Sequence, residues 1–315
     1  MRAIFALFLL FLVADGKKSF RVASFNLWQC GNHVEKGLDK IIKHIKVVDA
    51  DVFSFQEVQN ATAMRQIVDA LPDGWTAVFP NSSYPNIGIL TKHPIVPESV
   101  VNTSFGVHAT IKFDSGFSIN FWAFHGFHKA YGPHAAFNKL VTNVSQIISG
   151  EYAPKERKGG RVQNIQEVTE SATTKAAFKR LKTEPIFILG DFNTPSHQDW
   201  VEANKPKNGG WAVEWPATKH LTDLDFLDAY RELHPDPMKE PGYSWSPVAK
   251  TNYEWDFAFP EPQDRIDFIF YKGPVKPTNV TLYSGSEPLK MMPDHFYNDY
   301  PSDHSIVIGD FEYLE

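Results

Sequence analysis

Pro185-Ile186-Phe187-Ile188-Leu189-Gly190-Asp191-Phe192-Asn193 sets four consecutive apolar residues between a proline and a glycine, then presents a carboxylate and an amide. A continuous apolar run bounded in this way is the pattern of a strand covered on both faces. Gly190 lets the backbone leave the sheet sharply, so Asp191 is expected at the carboxyl end of a buried strand with Asn193 pointing the same way. A carboxylate there can orient and deprotonate water, and the amide can hold a phosphoryl oxygen. An ordinary β-turn also uses Asp and Asn, but it needs no covered strand before it.

Outward from this run, helical and strand patterns alternate along the chain. Phe20 to Leu27 predicts a first strand, and Leu38, Ile41, Ile42, Ile45 and Val48 predict an amphipathic helix over Glu35 to Val48. Asp51 to Phe55 is a short apolar strand that delivers Glu57 just beyond its end. Ile87 to Leu90 and Ser118 to Phe124 read as strands, the second leading to His125. Arg161 to Leu181 reads as one helix, stopped by Pro185. Arg265 to Tyr271 alternates, with Ile266, Phe268 and Phe270 on one face and Asp267 on the other. A carboxylate on a strand's inward side is costly without a partner. The last strand, Ser305 to Ile308, follows Asp303-His304 directly. Long Pro-rich, aromatic connections (127–160 and 200–264) belong at the rim. With no repeat and no linker in sight, residues 17–315 are expected to form a single α/β domain with two packed sheets.

The chain opens with Met1-Arg2, an apolar run from Ala3 to Ala14 and then Asp15-Gly16-Lys17-Lys18. That order reads as a secretory signal peptide over residues 1–16, because a membrane-spanning helix needs about 20 apolar residues. Sequons at Asn60, Asn81, Asn102, Asn143 and Asn279 agree with export to the extracellular space or the lysosome. The single cysteine, Cys30, rules out an intrachain disulfide; it reads as a buried free thiol, with an intermolecular bridge as the lesser alternative. A domain of about 300 residues buries roughly three quarters of its unfolded surface and needs no such staple. The net charge of −6 argues against a strongly basic nucleic-acid binder, though a bound cation can supply local positive charge. The basic run Lys155 to Arg161 reads first as a solvated loop and second as an anion-binding patch.

The chemistry-bearing groups favour a hard cation and a phosphate. Mg²⁺ takes oxygen ligands, usually one or two carboxylates plus substrate phosphate. Glu57 and Asp303 are the natural pair, with Asn26 either orienting Glu57 or adding a neutral oxygen. His304 is expected to face whatever the metal binds, with Asp267 fixing its tautomer. His125 is a second imidazole; a zinc site built from His125, His128 and His134 is disfavoured by the carboxylate-and-amide pattern. The segment from Gly126 to Gly160 is expected to border the site and to select the substrate.

Ser24-Phe25-Asn26, Gln56-Glu57, Gly190-Asp191-Phe192-Asn193, Arg265-Ile266-Asp267-Phe268 and Ser302-Asp303-His304 together resemble the signature of the endonuclease/exonuclease/phosphatase superfamily, a DNase I-like group. The resemblance runs from about Val22 to Phe311. A closer likeness, to little-characterised secreted members, lies in Phe25 to Gly31, Gly190 to Trp200, Ala229 to Pro237, Pro241 to Trp245 and Asp264 to Tyr271. It implies a four-layer α/β sandwich, two packed mixed β-sheets flanked by helices. It also implies Glu57 and Asp303 as metal ligands, with Asn26 in the metal or phosphate shell. Asp191 would position water, Asn193 would bind phosphate, and the Asp267–His304 pair would contact the phosphoryl group. His125 matches a histidine that ends the strand before the mid-chain connection, although Trp122-Ala123-Phe124-His125 departs from the usual Asn-Thr-His. Pancreatic-type deoxyribonucleases carry disulfides that this chain lacks.

The expected activity is Mg²⁺-dependent hydrolysis of a phosphate ester, with Mn²⁺ or Ca²⁺ as alternative cations and a monomer as the expected state. A secreted nuclease acting on DNA or RNA is the nearest alternative. A non-catalytic binding protein on the same fold is the rival of another class, and the intact carboxylates, amide and histidine speak against it. No basic amphipathic helix supports a membrane substrate.

Overall fold

Along the first strand, β1 (Ser19–Asn26), Phe20 and Val22 turn to one face while Ala23 and Phe25 turn to the other. That period of two, repeated in strand after strand, sorts the core into layers. The computed structural model describes residues 18–152 and 159–315. The expected signal peptide and most of the basic run Lys155 to Arg161 lie outside the described residues.

The remaining strands are β2 (Val52–Val58), β3 (Thr76–Val78), β4 (Asn86–Thr91), β5 (Ile95–Asn102), β6 (Gly106–Lys112), β7 (Ser118–His125), β8 (Ile186–Asp191), β9 (Leu227–Asp228), β10 (Asp267–Lys272), β11 (Val275–Tyr283) and β12 (Ile306–Tyr313). They form two six-stranded mixed sheets, ordered β11-β12-β1-β2-β4-β3 and β5-β6-β7-β8-β10-β9. Each sheet contains one parallel pair, β1 with β2 and β7 with β8. Phe20, Val22, Val52, Ile89 and Phe311 of the first sheet meet Phe121, Ala123, Phe187, Leu189 and Ile269 of the second. On the outside of the first sheet, Phe25, Phe53 and Phe55 pack on helices Gly37–Val48 and Ala61–Asp69 through Ile41, Ile45, Met64 and Ile67. On the outside of the second, Trp122, Phe124, Ile188 and Phe270 pack on helices Arg161–Thr169, Ala172–Phe178 and Pro216–Asp223. The result is the expected α/β/β/α sandwich; each fully buried Phe adds about 1.5–3 kcal/mol.

The inner layer changes character along its length. The inward positions run Phe20, Val22, Ser24, Asn26 on β1 and Val52, Ser54, Gln56 on β2, from apolar to polar. Ser54 Oγ donates to Leu189 O of the other sheet at 2.9 Å, and Gln56 Nε2 donates to Ser54 Oγ at 2.7 Å. The polar end of this layer holds the candidate site.

Several details depart from the sequence reading. The helix expected over Arg161 to Leu181 is two helices, because Ser171 caps the second by accepting from Thr174 N at 3.1 Å. Glu57 lies within β2 rather than beyond it, at a register shift between Gln56 and Val58 and with a left-handed φ of 58°. Gly190 does not carry the chain out of the sheet; it pairs with Phe124 and Phe268, and the turn comes at Asn193, φ 53°. What requires glycine at 190 is proximity, since a Cβ there would sit 1.7 Å from Phe124 O. Gly190→Ala is therefore expected to force β7 from β8 and lower the thermal midpoint by several degrees, in the range of overpacking costs of about 1–3 kcal/mol or more. An unchanged melting curve for the purified variant would contradict this placement.

Candidate active site

β8 and β10 run antiparallel with Asp191 directly opposite Asp267, and His125 ends β7 opposite Asp191 on its other side. All three side chains occupy inward positions at the polar end of the inner layer. Asn26 reaches them from β1 and His304 from just before β12, so both sheets contribute to one cluster.

Asp191 is 1 % exposed and surrounded by donors. Its Oδ1 accepts from Asn193 N at 2.7 Å, and its Oδ2 accepts from Asn26 Nδ2 at 3.1 Å and Asn193 Nδ2 at 3.2 Å. His125 Nε2 and His304 Nε2 lie 3.5 and 3.7 Å from Oδ2. Burial works to raise its pKa, but the two histidines and the Asn193 N–H outweigh it and hold the carboxyl below its usual range. Burial likewise works against the charged form of His304, yet Asp267 and Asp191 prevail and raise its pKa well above the usual value. His304 Nδ1 lies 2.9 Å from Asp267 Oδ2, so the expected pairing is present. Asp267 itself titrates high, through burial and the nearness of Asp191.

Glu57 stands at the mouth. Asn26 Nδ2 lies 3.3 Å from its Oε1, and Gln29 N donates to Oε2 at 3.0 Å. The latter donor belongs to a run of left-handed residues, Trp28, Gln29 and Cys30. Cys30 is the buried free thiol expected; its Sγ lies 3.8 Å from Glu57 O and accepts from Gln59 N at 3.2 Å, bracing the bulge. Asp303 Oδ2 accepts from Trp245 Nε1 at 3.2 Å, while its buried Oδ1 has no hydrogen-bond partner and stands 4.0 Å from His304 Nε2. Burial, with the charge of Glu57 added, pushes the Asp303 carboxyl up to about 7. A buried carboxylate oxygen without a hydrogen bond, beside a second carboxylate, is suited to a cation. The carboxylates of Glu57 and Asp303 therefore fit a hard divalent ion, while Asn26, whose Oδ1 accepts from Trp28 N at 2.9 Å, turns its Nδ2 to Glu57 and orients it.

A tighter group, Asp191, Asp267 and His304, has ligand atoms within 4.8 Å of one another. The geometry of that trio is better satisfied by the imidazolium itself, which bridges the two carboxylates through its two nitrogens. His125 is committed to Asn86 Oδ1 (3.1 Å) and Asp191, and His134 to Glu261, so two of the three histidines weighed as a zinc site are otherwise engaged.

Asn193 sits where expected, but its amide nitrogen donates to Gly126 O (3.1 Å) as well as to Asp191. Sequence reasoning gave no role to four residues that set the site, although Ser302 stands within a motif it singled out. Asn86, at φ 62°, holds His125. Ser244 Oγ accepts from Ile266 N and Asp267 N, both at 3.0 Å. Trp245 holds Asp303, and Ser302 Oγ donates to Asn26 O at 2.7 Å, tying the end of β1 to the approach of β12. The Ser244-Trp245 pair stood in plain sight within Pro241 to Trp245, but nothing in its local pattern pointed inward.

Among the described residues of the segment from Gly126 to Gly160, only part borders the site. Ala136 and Ile147 pack with Trp200, Val213 and Trp215 in a small core of their own. His128 and Lys129, just after His125, remain exposed. Excising the whole segment would uncover that core.

The chain belongs to the Endonuclease/Exonuclease/phosphatase family, whose sequence profile matches residues 23–304. Members of that family are phosphoester hydrolases. A Caenorhabditis elegans relative, "Uncharacterized protein F14F9.5", is 44 % identical over 294 residues, covering 93 % of this chain and 91 % of its own. Among solved structures, C. elegans TDP2 superposes with a TM-score of 0.57 at 13 % identity, covering 96 % of this chain and 78 % of that one. D. rerio TDP2 complexed with a single-strand DNA product gives 0.55 at 13 % identity, covering 93 % and 98 %. The human nocturnin catalytic domain with bound sulfate gives 0.53 at 17 % identity, covering 94 % and 95 %. Likeness at these identities establishes the shared fold.

The paired geometry of Asp267 and His304 makes a direct expectation. His304 should remain protonated at pH 7, with both ring nitrogens reporting as N–H by imidazole ¹⁵N NMR. Asp267→Asn should bring its titration down toward the ordinary histidine range. Because the folded pKa is the raised one, the stabilisation from this charge is full below the unfolded value near 6.5 and fades as pH climbs through the folded pKa. A neutral His304 at pH 7 in the unmodified protein would contradict the assignment.

Proposed function

We propose that this protein hydrolyses a phosphate ester with the help of a divalent cation, by in-line attack of water on phosphorus. The observation that carries the reading is the gathering of Asn26, Glu57, Asp191, Asn193, Asp267, Asp303 and His304, from five separate parts of the chain, at one end of the inner layer. Glu57 and Asp303 would hold the cation, Mg²⁺ by preference with Mn²⁺ or Ca²⁺ as alternatives. Such an ion supplies Lewis acidity toward phosphoryl oxygens. Asp191, kept ionised, orients the water and accepts its proton as the new O–P bond forms and the bond to the leaving oxygen breaks. The His304 imidazolium donates toward the phosphoryl oxygens as charge accumulates there. The Asn193 side-chain amide, which now donates to Asp191, can transfer that hydrogen bond to phosphate. His125, steadied by Asn86, adds a second imidazole on the same side.

A nuclease is the second reading. It is supported by the single-strand DNA product in the D. rerio TDP2 structure. The sulfate bound to human nocturnin supports a tetrahedral oxyanion more generally. A non-catalytic binding protein would have little use for a buried Asp303 oxygen that lacks a hydrogen bond beside Glu57.

Residues 1–16 fit a secretory signal, and all five sequon asparagines that follow are exposed. Asn60 and Asn143 cap helices through Oδ1, a use that leaves the amide nitrogen to a glycan. We therefore assign the mature chain, residues 17–315, as one exported domain. No helix among the described residues is long and apolar enough to cross a membrane. Intact-mass measurement of protein secreted from eukaryotic cells should show an amino terminus between Ala14 and Lys18 and added glycan mass. A chain that retains Met1 and carries no glycan would refute export.

Asp191→Ala should lower turnover of a phosphodiester on the order of 10²–10⁴-fold. Glu57→Ala and Asp303→Ala should each move the Mg²⁺ titration to higher concentration, and the double variant should be less than additive. Wild-type turnover in the first, or metal titrations that overlay the wild type in both others, would remove the corresponding roles.

A further inference from the structure

We propose that an open polar groove on the outer flank of the second sheet is the seat of an N-linked glycan carried by Asn102, and that it holds the glycan core against the protein. The proposal rests on the export reading and goes beyond it by giving one sequon a binding site for its own sugar. The groove, of about 840 Å³, lies where the turn joining β5 to β6 approaches the helix Arg161–Thr169. That size is within the range of ligand-binding clefts. Asn102, Thr103 and Ser104, the whole sequon, form one wall, and Gln166, Glu167 and Glu170 belong to the other. Asn102 is exposed at the end of β5, so a sugar joined to its amide nitrogen starts at the groove wall. None of the other sequon asparagines, Asn60, Asn81, Asn143 and Asn279, lines the groove.

The sequon is held at a fixed distance from the helix. Ser104 N donates to Glu167 Oε2 at 2.9 Å, and Thr103 N donates to Gly106 O at 2.8 Å, which closes the turn. The chemistry of the lining selects the occupant. Among the described residues that form it there is no lysine, arginine, aromatic ring or long aliphatic side chain. Two carboxylates with no cation beside them repel an anion such as a phosphate. Without a ring or an aliphatic pocket, a peptide or a lipid has no anchor. A neutral ligand rich in hydroxyl and amide groups remains, and side-chain amides, carboxylates and hydroxyls can pair with both its donors and its acceptors. The acetamido sugars that begin an N-linked glycan are such a ligand. Contacts of this kind are individually weak, but a glycan tethered at Asn102 meets the groove at an effective concentration on the order of millimolar, so weak contacts suffice.

The test uses the full mature chain secreted from eukaryotic cells and treated, still folded, with a peptide N-glycosidase. Release turns each glycosylated Asn into Asp, so its rate is read site by site from the masses of the peptides. A seated glycan is shielded from the enzyme, and if about one in ten is unseated at any moment, release at Asn102 is about tenfold slower than at exposed Asn81. The difference should vanish once the protein is denatured. Gln166→Ala with Glu170→Ala should bring native release at Asn102 up to the Asn81 rate, while the melting curve of the deglycosylated protein stays unchanged. Asn102→Gln leaves the groove vacant, and N,N′-diacetylchitobiose should then bind it at about millimolar concentration. The glycosylated parent should not bind that probe. Equal native release at Asn102 and Asn81, or protection that survives the double substitution, overturns the proposal. So does binding of the free disaccharide to the glycosylated parent, which would make the groove a site for foreign sugar. A bare Asn102 among glycosylated sequons refutes this proposal alone, whereas a chain without glycan at any sequon refutes export and the proposal with it.

Discussion

Two carboxylates, Asp191 and Asp267, face each other across adjacent antiparallel strands with almost no access to water. Like charges directly opposite on a sheet repel, and at this depth the repulsion is scarcely screened. His304 resolves the conflict by placing one imidazolium between them, Nδ1 toward Asp267 and Nε2 toward Asp191. The arrangement fixes more than two side chains. His304 comes from the chain entering β12, which lies beside β1 in the other sheet, so the two sheets are electrostatically locked at the site. A slip of one residue in β8 or β10 would turn a carboxylate outward and bring an apolar neighbour in. The register of the second sheet and the chemistry of the site are thus one constraint.

That constraint explains why much of the site was legible from sequence. Ile186 to Leu189 announces a covered strand, and Asp267 breaks an apolar alternation at an inward position, so each had to be accommodated by a partner. What escaped notice depends on contacts distant in sequence or on broken periodicity. β5 loses its alternation at a register shift between Val96 and Val101, and β11 carries Pro277 beside another shift. Asn86 and Ser244 reveal nothing until strands 39 and 23 residues away bring His125 and Asp267 to them. Arg161 to Leu181 read as one helix because its apolar spacing continues through Ser171. Only the cap at Ser171 shows that the chain restarts there.

With one cysteine, the chain must hold its long rim connections by other means. Buried arginines clip carbonyl oxygens together. Arg161 donates to Lys129 O and Gly150 O at 3.0 Å, closing the segment that follows His125. Arg231 donates to His234 O, Glu240 O and Pro241 O, closing the approach to Ser244 and Trp245. Each clip needs a carboxylate within reach, Glu151 for Arg161 and Asp199 for Arg231. Breaking such a buried pair by removing one partner commonly costs about 3–5 kcal/mol, because the other charge is left uncompensated. The rim is therefore rigid where it touches the catalytic end of the sandwich, and freedom to vary remains in what projects beyond the clips. His128 and Lys129 on one side and the loop bearing Trp255 and Phe259 on the other are the surfaces so placed. Clipping the loops at their bases keeps the polar end of the sandwich fixed while the residues beyond the clips stay free to vary, the division between scaffold and surface loop that lets one fold carry different sites.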